Sequence, residues 1–272
     1  MDIALDRLST LPNTLLCLIL SKVPFRRVVQ CSVLSKRWRF IYREVPYLDL
    51  SPYFLTPQYI QHPRPDPLSM ASLEHIISNL LQSHSSDLAG VRLTNYTASY
   101  IRWRFTRQSL SNWLECLSRK NVKRLILADS ASREIPAPEA LFSCTALTLL
   151  TLNNYILTSI PTQFAGFKHL LNCTFTSIEL TDDSLAIFIS QCPLLLKLRL
   201  WECVGLREPV ISALKVTHLI TQTCHGMQVC TVKCPKLKNY RKLGRLKDLR
   251  AKYCSDFFKY VSQIFPSMLL KV

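Results

Sequence analysis

The stretch LLKLRLWEC at residues 195–203 contains the pattern that decides the fold. Its leucines at positions 195, 198 and 200 and its cysteine at 203 have the L-x-x-L-x-L-x-x-[NC] spacing of a leucine-rich repeat. The same spacing starts at Val122, Leu147 and Leu170, so successive starts lie 25, 23 and 25 residues apart. Such repeats recur every 20–29 residues or so. The sequence therefore predicts an α/β solenoid in which each unit adds one short strand to a parallel sheet on the concave side.

Weaker versions of the pattern extend this prediction in both directions. An earlier strand is expected at Leu88-x-x-Val91-x-Leu93. Imperfect later copies are Leu214-x-x-Thr217-x-Leu219, Leu237-x-x-Tyr240 and Leu246-x-x-Leu249. Return segments are predicted to be helical around residues 110–117 and 181–189, where apolar residues recur at helical spacing. We interpret Asp182 and Asp183 as acidic residues of a helix's first turn rather than as a catalytic pair.

Strand alternation predicts which side chains of the repeats can reach a partner. Positions expected to point into the core are Leu125, Leu150, Cys173 and Leu198. Their neighbours in sequence then face the concave wall, and tryptophan and arginine there are types enriched in binding hot spots. The candidate target-binding residues are Arg124, Lys197, Arg199 and Trp201. The alternative for Trp201 is that its ring packs against a neighbouring strand.

The first fifty residues are predicted to form a small all-α module of three short helices. An apolar stripe runs from Leu15 to Leu20 behind a possible N-cap at Asn13 or Thr14. Pro24 is expected to end that helix and to begin the next one. Ser35 is expected to cap a third helix that contains Trp38. Three such helices bury little surface, so the module is expected to need a partner or a neighbouring domain.

Short motifs follow one another closely through this segment. They are DRLS at 6–9, LP at 11–12, SVLSKRWR at 32–39, VP at 45–46 and LDL at 48–50. Together they resemble the F-box of plant F-box/LRR-repeat proteins. ALFSC at 140–144, LTDD at 180–183 and QCPLL at 191–195 resemble the repeats of the same family. No stretch resembles the FBD region that some members carry, so a short or truncated member is expected.

The resemblance implies a substrate-recognition subunit of an SCF-type (Skp–cullin–F-box) ubiquitin ligase. The F-box would dock on the Skp-type adaptor, which bridges to cullin and RING subunits, and the repeats would bind a target protein. The residues expected at or behind the adaptor-binding face are Leu8, Leu11, Pro12, Leu15, Leu16, Ile19, Leu20, Val33 and Trp38. The alternative, strongest for Trp38, is that these residues form the core of a three-helix domain. Asn13 and Tyr42 depart mildly from the family, where an acidic residue and a tryptophan are common.

The expected domains are an F-box over residues 1–50, a connector and helix over 51–87, and leucine-rich repeats over 88–272. The connector is predicted to be extended because prolines at 52, 57, 63, 65 and 67 remove donors and block regular ladders. A helix capped by Ser69 or Ser72 should follow, with an apolar stripe through Leu73 and Leu81.

Charge and cysteine content limit the classes of function. The chain has 34 Lys and Arg against 18 Asp and Glu, a formal net charge of +16, which favours an acidic partner. A nucleic-acid-binding or purely scaffolding repeat protein is the alternative, although no recognised nucleic-acid module accompanies the charge. The eleven cysteines are spread without a dense framework and no secretory signal is found, which predicts reduced thiols in the cytoplasm or the nucleus. A zinc site at Cys224, His225, Cys230 and Cys234 is disfavoured because paired ligands are missing.

No enzyme, cofactor or membrane signature is found. The sequence contains no G-x-G-x-x-G, G-x-S-x-G or H-E-x-x-H pattern, and its six histidines are dispersed. The apolar run from Leu15 to Leu20 is far shorter than the roughly 20 residues that span a bilayer. We therefore expect a protein without catalytic residues that acts by binding other proteins.

Overall fold

The computed structural model describes residues 8, 10–23, 25–51, 67–84, 88–98, 101–103, 105–129, 135–243 and 248–251. The α-helices are α1 Asn13–Leu20, α2 Phe25–Gln30, α3 Pro67–Ser83, α4 Arg107–Arg119 and α5 Asp182–Ser190. Short 3-10 helices span Cys31–Val33, Trp38–Arg43 and Glu139–Ser143. The extended connector predicted before Pro67, and Pro24 between the first two helices, lie outside the described residues.

The strands of the described residues begin before α3 and continue beyond α5. They are β1 Tyr47–Asp49, β2 Gly90–Ala98, β3 Ile101–Trp103, β4 Arg124–Asp129, β5 Leu149–Asn153, β6 Ile156–Leu157, β7 Asn172–Thr176, β8 Glu179–Leu180, β9 Lys197–Trp201, β10 Val210–Ser212, β11 His218–Gln222, β12 Val229–Lys233, β13 Asn239–Leu243 and β14 Asp248–Ala251.

One large sheet organises the described part of the chain. Its strand order is β1-β2-β4-β5-β7-β9-β11-β13, all parallel, with β3 antiparallel on β2. Two smaller parallel sheets, β10-β12-β14 and β6-β8, lie among the return segments. The α/β fold class with a small helical module and a parallel repeat sheet is therefore confirmed.

The parallel register brings equivalent residues of successive repeats side by side. The buried row consists of Leu48, Val91, Leu125, Leu150, Cys173, Leu198 and Leu219. The burial of strand residues alternates as predicted, and on β9 every second residue is buried while its neighbours are exposed. Because no single strand can hide such residues alone, the repeats are stable only when stacked. The inward positions predicted from the sequence are confirmed.

The helical module is continuous with the repeats. Strand β1 lies at the end of this module and pairs with β2, and Leu48 lies opposite Val91. The Leu50 N–H donates to the Arg92 carbonyl at 2.9 Å, and the Gly90 N–H donates to the Pro46 carbonyl at 3.0 Å. The boundary expected at residue 50 thus falls directly after a strand that belongs to the repeat sheet.

Gly90 is needed at this joint because a Cβ there would lie 2.9 Å from the Tyr47 ring. Buried His84, just after α3, adds a second tie between the module and the repeats. Its Nε2 lies 3.0 Å from the Val45 carbonyl oxygen. The strand and the histidine together hold the module against the first repeat.

Side chains fix the helices that cover the repeats. Thr106 caps α4 by accepting from the Ser109 N–H, and the Glu74 carboxylate on α3 accepts from the Thr106 N–H at 2.5 Å. The Trp113 indole N–H donates to the Ser78 hydroxyl at 2.9 Å. The helix predicted through 110–117 is therefore confirmed, and it packs on α3.

The first turn of α5 shows what its acidic pair does. Thr181 and Ser184 form a reciprocal capping box at the start of this helix. The Asp182 carboxylate accepts from the backbone N–H groups of Arg207 and Glu208, at 3.1 and 2.9 Å. Asp182 therefore ties one repeat to the loop of the next, a structural role that agrees with the non-catalytic interpretation.

The repeat frame predicted beyond Cys203 was partly wrong. Leu219, not Thr217, pairs with Leu198, so this repeat begins at Val216 rather than at Leu214. Tyr240 pairs with Leu219, as the second of these later copies, Leu237-x-x-Tyr240, predicts. Leu249 pairs with Cys230 in the smaller β10-β12-β14 sheet and is not part of the large one.

Cysteines connect neighbouring repeats at the turns after β9 and β11. Cys203 follows β9, and its thiol donates to the Phe175 carbonyl of the preceding repeat at 3.7 Å. Cys224 follows β11 and donates to the Leu200 carbonyl at 3.6 Å. These thiol contacts join the turn after one strand to the strand of the preceding repeat, and the contact of Cys203 accounts for the cysteine that ends the LLKLRLWEC motif.

Two neighbouring substitutions test the register of β9. Leu198→Ala should lower the free energy of unfolding by about 3 kcal/mol because it leaves a cavity in the fully buried row. Arg199→Ala should change it by no more than about 0.5 kcal/mol because that side chain is exposed. Urea unfolding followed by circular dichroism measures both. Equal losses from the two variants would contradict the register.

Candidate functional site

Exposed apolar side chains are concentrated in the helical module. Leu15 and Ile19 lie one turn apart on α1 and are 47 % and 45 % exposed. Val33, at the end of the second helical segment, is 85 % exposed. Leu8 and Pro12 are also exposed, and Leu11 is half-buried. Six of the residues predicted for the adaptor-binding face are therefore accessible to a partner.

The other three predicted residues are not on the surface. Leu16, Leu20 and Trp38 are each at most 5 % exposed and belong to the hydrophobic core. They can support the face from behind but cannot touch a partner. Helix geometry explains their burial, because Leu16 and Leu20 lie on the face of α1 opposite to the solvent-exposed Leu18. For Trp38 the alternative stated from the sequence, a core aromatic, is correct.

Three exposed apolar residues enlarge the face beyond the prediction. They are Leu18, Leu34 and Phe40, with exposures of 59 %, 64 % and 51 %. Leu34 directly follows Val33 in the sequence, and Phe40 lies in the 3-10 helix that also holds Trp38. The sequence signal that could have found them is the excess of apolar residues over what a three-helix core can bury. We call the exposed set Leu15, Leu18, Ile19, Val33, Leu34 and Phe40 the apolar face.

Arg37 contacts the residues at the start of α1. Its guanidinium donates to the Asn13 side-chain oxygen at 3.1 Å from Nε and 3.0 Å from Nη2, and Nη2 also donates to the Leu11 carbonyl. Asn13 is the first residue of α1 and makes no side-chain cap. The expected N-cap role for Asn13 or Thr14 is therefore wrong, since Pro12 occupies the N-cap position. Its side chain instead links α1 to the segment between the second and third helical segments.

The exposed face of the large sheet holds the predicted target-binding residues of β9. Lys197, Arg199 and Trp201 occupy successive outward positions, and Trp201 is 47 % exposed. In register, Trp201 lies between Thr176 on β7 and Gln222 on β11. These short or polar neighbours leave much of the indole open, so Trp201 is not an interior packing residue.

Arg124 lies apart from the β9 residues. Strands β5 and β7 separate β4 from β9, which places Arg124 roughly 14 Å from Lys197 at the usual strand spacing. Its guanidinium carbon is 5.8 Å from the centre of the Tyr47 ring. Arg124, Arg92 and Lys22 line a cavity of about 540 Å³ between the helical module and the first repeats. The four predicted residues thus form two separate groups.

The described residues contain no arrangement suited to metal binding, since no group of three or more His, Cys, Asp or Glu could hold an ion there. Burial raises the pKa of the Cys144, Cys192 and Cys230 thiols to about 12, so they remain protonated at neutral pH. Such thiols are poor nucleophiles. No helix in the described part of the chain has the length and apolarity needed to cross a membrane.

Comparisons with known proteins agree with this architecture. Residues 110–255 match the family model described as "FBD-associated F-box protein At5g56370, LRR repeats", and residues 8–44 match the F-box domain. The first match covers more than half of the chain, so the protein belongs to this family of plant F-box proteins with leucine-rich repeats.

Curated relatives from Arabidopsis thaliana are similar over most of the chain. F-box/FBD/LRR-repeat protein At1g78750 is 29 % identical over 251 residues, which are 87 % of this chain and 52 % of the relative. F-box/LRR-repeat protein At3g26922 is 28 % identical over 193 residues, or 69 % and 57 % of the two chains. F-box/FBD/LRR-repeat protein At5g56420 is 30 % identical over 212 residues, or 76 % and 46 %. The chain therefore spans about half the length of the curated relatives it matches.

Replacing Arg37 tests how the apolar face is positioned. Arg37→Ala should lower the free energy of unfolding by about 1 kcal/mol and speed hydrogen exchange in residues 11–20, because α1 loses its link to the third helical segment. Arg39→Ala removes an equally charged, exposed side chain two residues away and should change neither quantity. Exchange that is equal in the two variants would contradict the role given to Arg37.

Proposed function

We propose that this protein is the substrate-recognition subunit of an SCF-type ubiquitin ligase. The F-box docks on a Skp-type adaptor through its apolar face, and the adaptor bridges to cullin and RING subunits. The repeats bind a target protein on the exposed face of the large sheet. The observation that carries the proposal is the apolar face itself, on a module that family comparison matches to an F-box.

The apolar face contains more exposed apolar side chains than the isolated ones that are common on protein surfaces. Leu15, Leu18 and Ile19 are adjacent on two turns of α1 and are each at least 45 % exposed. Their exposure keeps contiguous apolar surface in contact with water, and such patches on folded proteins mark interaction sites. Burial of this surface against a partner lowers the free energy by about 25 cal/mol for each Å² covered.

The core behind the face gives it a fixed shape. Leu16 and Leu20 on the inner side of α1 pack with Trp38 and Ile41 of the third helical segment in one hydrophobic cluster. A partner therefore meets a preformed surface and does not have to order it, which lowers the entropic cost of binding.

The pairing of β1 with the repeat sheet supports a role in which the protein only positions a target relative to the adaptor. Because β1 is the first strand of the large sheet, a target held on that sheet keeps a defined direction relative to an adaptor held on the apolar face. Such a subunit accelerates transfer by raising the effective concentration of the target and by orienting it, with no chemistry of its own. The proposal assigns no catalytic residue to this chain.

Loss of adaptor capture is the direct test of the F-box assignment. The Leu15→Glu/Ile19→Glu double variant should lower capture of a purified Skp-type adaptor by at least tenfold or so, because two charges would be buried in an apolar interface. Affinity pull-down or calorimetry measures the effect, and circular dichroism checks the fold.

The matched control is Ile187→Glu/Leu214→Glu. These side chains are similarly exposed, at 48 % and 77 %, but lie on α5 and on a loop of the repeats. This variant should capture the adaptor normally. Full capture by the Leu15/Ile19 variant would show that the docking face is misassigned.

A further inference from the structure

The exposed face of the large sheet has a charge that the F-box assignment leaves unexplained. Register places three rows of outward side chains across the strands from β1 to β13. The described charged residues in these rows are Arg92, Arg124, Lys197, Arg199, Arg241 and Asp49. These rows thus contain five cations and one carboxylate. The Asp49 carboxylate already lies 3.7 Å from the Arg92 guanidinium.

Three of the cations form a group at the end of the sheet away from the F-box. Arg199 and Arg241 lie in one row, separated by Ile220 on β11, so their strands are about 10 Å apart. Lys197 is the previous outward residue on β9, about 7 Å from Arg199 along the strand. Among the described residues no carboxylate lies within 4 Å of any of the three. We call Lys197, Arg199, Arg241 and Trp201 the basic patch.

We propose that the basic patch binds an extended acidic segment of a target protein, with acidic residues at alternate positions and an apolar residue next to them. This inference rests on the proposed function, in which the sheet face receives the target, and it specifies the chemistry of that target.

The spacing of the patch favours an extended peptide over a small anion. The backbone positions of Lys197, Arg199 and Arg241 are about 7 and 10 Å apart, so the patch can engage several carboxylates at once, and one small anion does not supply them. A chain in extended conformation places residues i and i+2 on one side, about 7 Å apart, which equals the distance between Lys197 and Arg199. Arginine suits carboxylates in particular because its fork of N–H groups bonds both oxygens.

Trp201 supplies the apolar part of the recognition. It is the next outward residue on β9 after Arg199, so an acidic segment lying along this strand brings a neighbouring side chain onto the indole. Its exposed ring can bury apolar surface on binding, and tryptophan beside arginine is a frequent combination in binding hot spots.

The composition of the surrounding face favours protein over nucleic acid. Proteins that bind single strands present a series of aromatic rings on which successive bases stack. On β5 to β13, Trp201 is the only Trp, Tyr or Phe among the described outward residues. The outward residues beside the patch include Asn172, Thr174, Thr176, His218, Ile220 and Gln222, which offer amide, hydroxyl and apolar contacts to a peptide.

Selection of peptides tests this proposal without knowledge of the target. The whole chain, bound to purified Skp-type adaptor, is used to select from a phage library of random twelve-residue peptides. The selected pool should be acidic, with Asp or Glu enriched at alternate positions. A labelled peptide from that pool should bind at least about tenfold more weakly to the Arg199→Glu/Arg241→Glu variant, and more weakly as salt rises.

The control Lys215→Glu/Lys233→Glu makes the same change in net charge at exposed positions outside the large sheet. It should bind the labelled peptide within about twofold of the unmodified chain, since long-range charge effects are screened by salt. The milder Arg199→Gln/Arg241→Gln variant should show an intermediate loss. Adaptor capture by each variant confirms folding and keeps the two proposals separate.

A neutral or basic pool, no enrichment at all, or equal binding by the charge-reversed variant would overturn the acidic-segment proposal. Tighter retention of a twenty-nucleotide single-stranded DNA than of the selected peptide would overturn it in favour of nucleic acid. Retained adaptor capture in any of these cases would leave the F-box assignment intact.

Discussion

The parallel register of buried strand residues is the constraint on which the rest of the structure depends. Each residue of the row from Leu48 to Leu219 completes the burial of its neighbour, so no strand is stable by itself. The row does not begin with the matched repeats, because its first member is Leu48, which follows the segment that matches the F-box domain. The F-box and the repeats are therefore joined through one sheet and one hydrophobic core, and Gly90, whose missing side chain leaves room for the Tyr47 ring, lies at this junction.

This shared sheet separates two kinds of surface. The helical end presents apolar side chains that a rigid inner layer supports. The exposed sheet face presents charge, with the basic patch at one end and Arg124 against Tyr47 at the other. The two surfaces differ in the partners they suit, since one gains from the burial of apolar area and the other from opposite charge. A protein that joins two different partners requires such a division, and a fixed strand pairing between the surfaces maintains their relative orientation.

Much of the fold could be predicted from the sequence because the repeats share a regular spacing of apolar residues. The spacing from Val122 to Cys203 was regular, so the strands and their buried sides followed directly. After Cys203 the repeats shorten, and Val216 stands where leucine is usual, so the frame was placed two residues early. The exposure of Leu15 and the burial of Leu16 depend on which face of α1 meets Trp38. The pairing of β1 with β2 and the contacts of Arg37 with Asn13 join residues distant in sequence, for which a single sequence gives no local signal.

The central claim is that the F-box and the repeats are joined through β1 into one cooperative unit. Native-state hydrogen exchange of the whole chain, read by mass spectrometry on fragments that cover residues 46–51 and 90–94, tests it most directly. The Leu50 and Gly90 N–H groups are bonded across the two strands, so both fragments should be strongly protected and should lose protection at the same denaturant concentration. Rapid exchange of residues 46–51 while residues 90–94 remain protected would contradict the account.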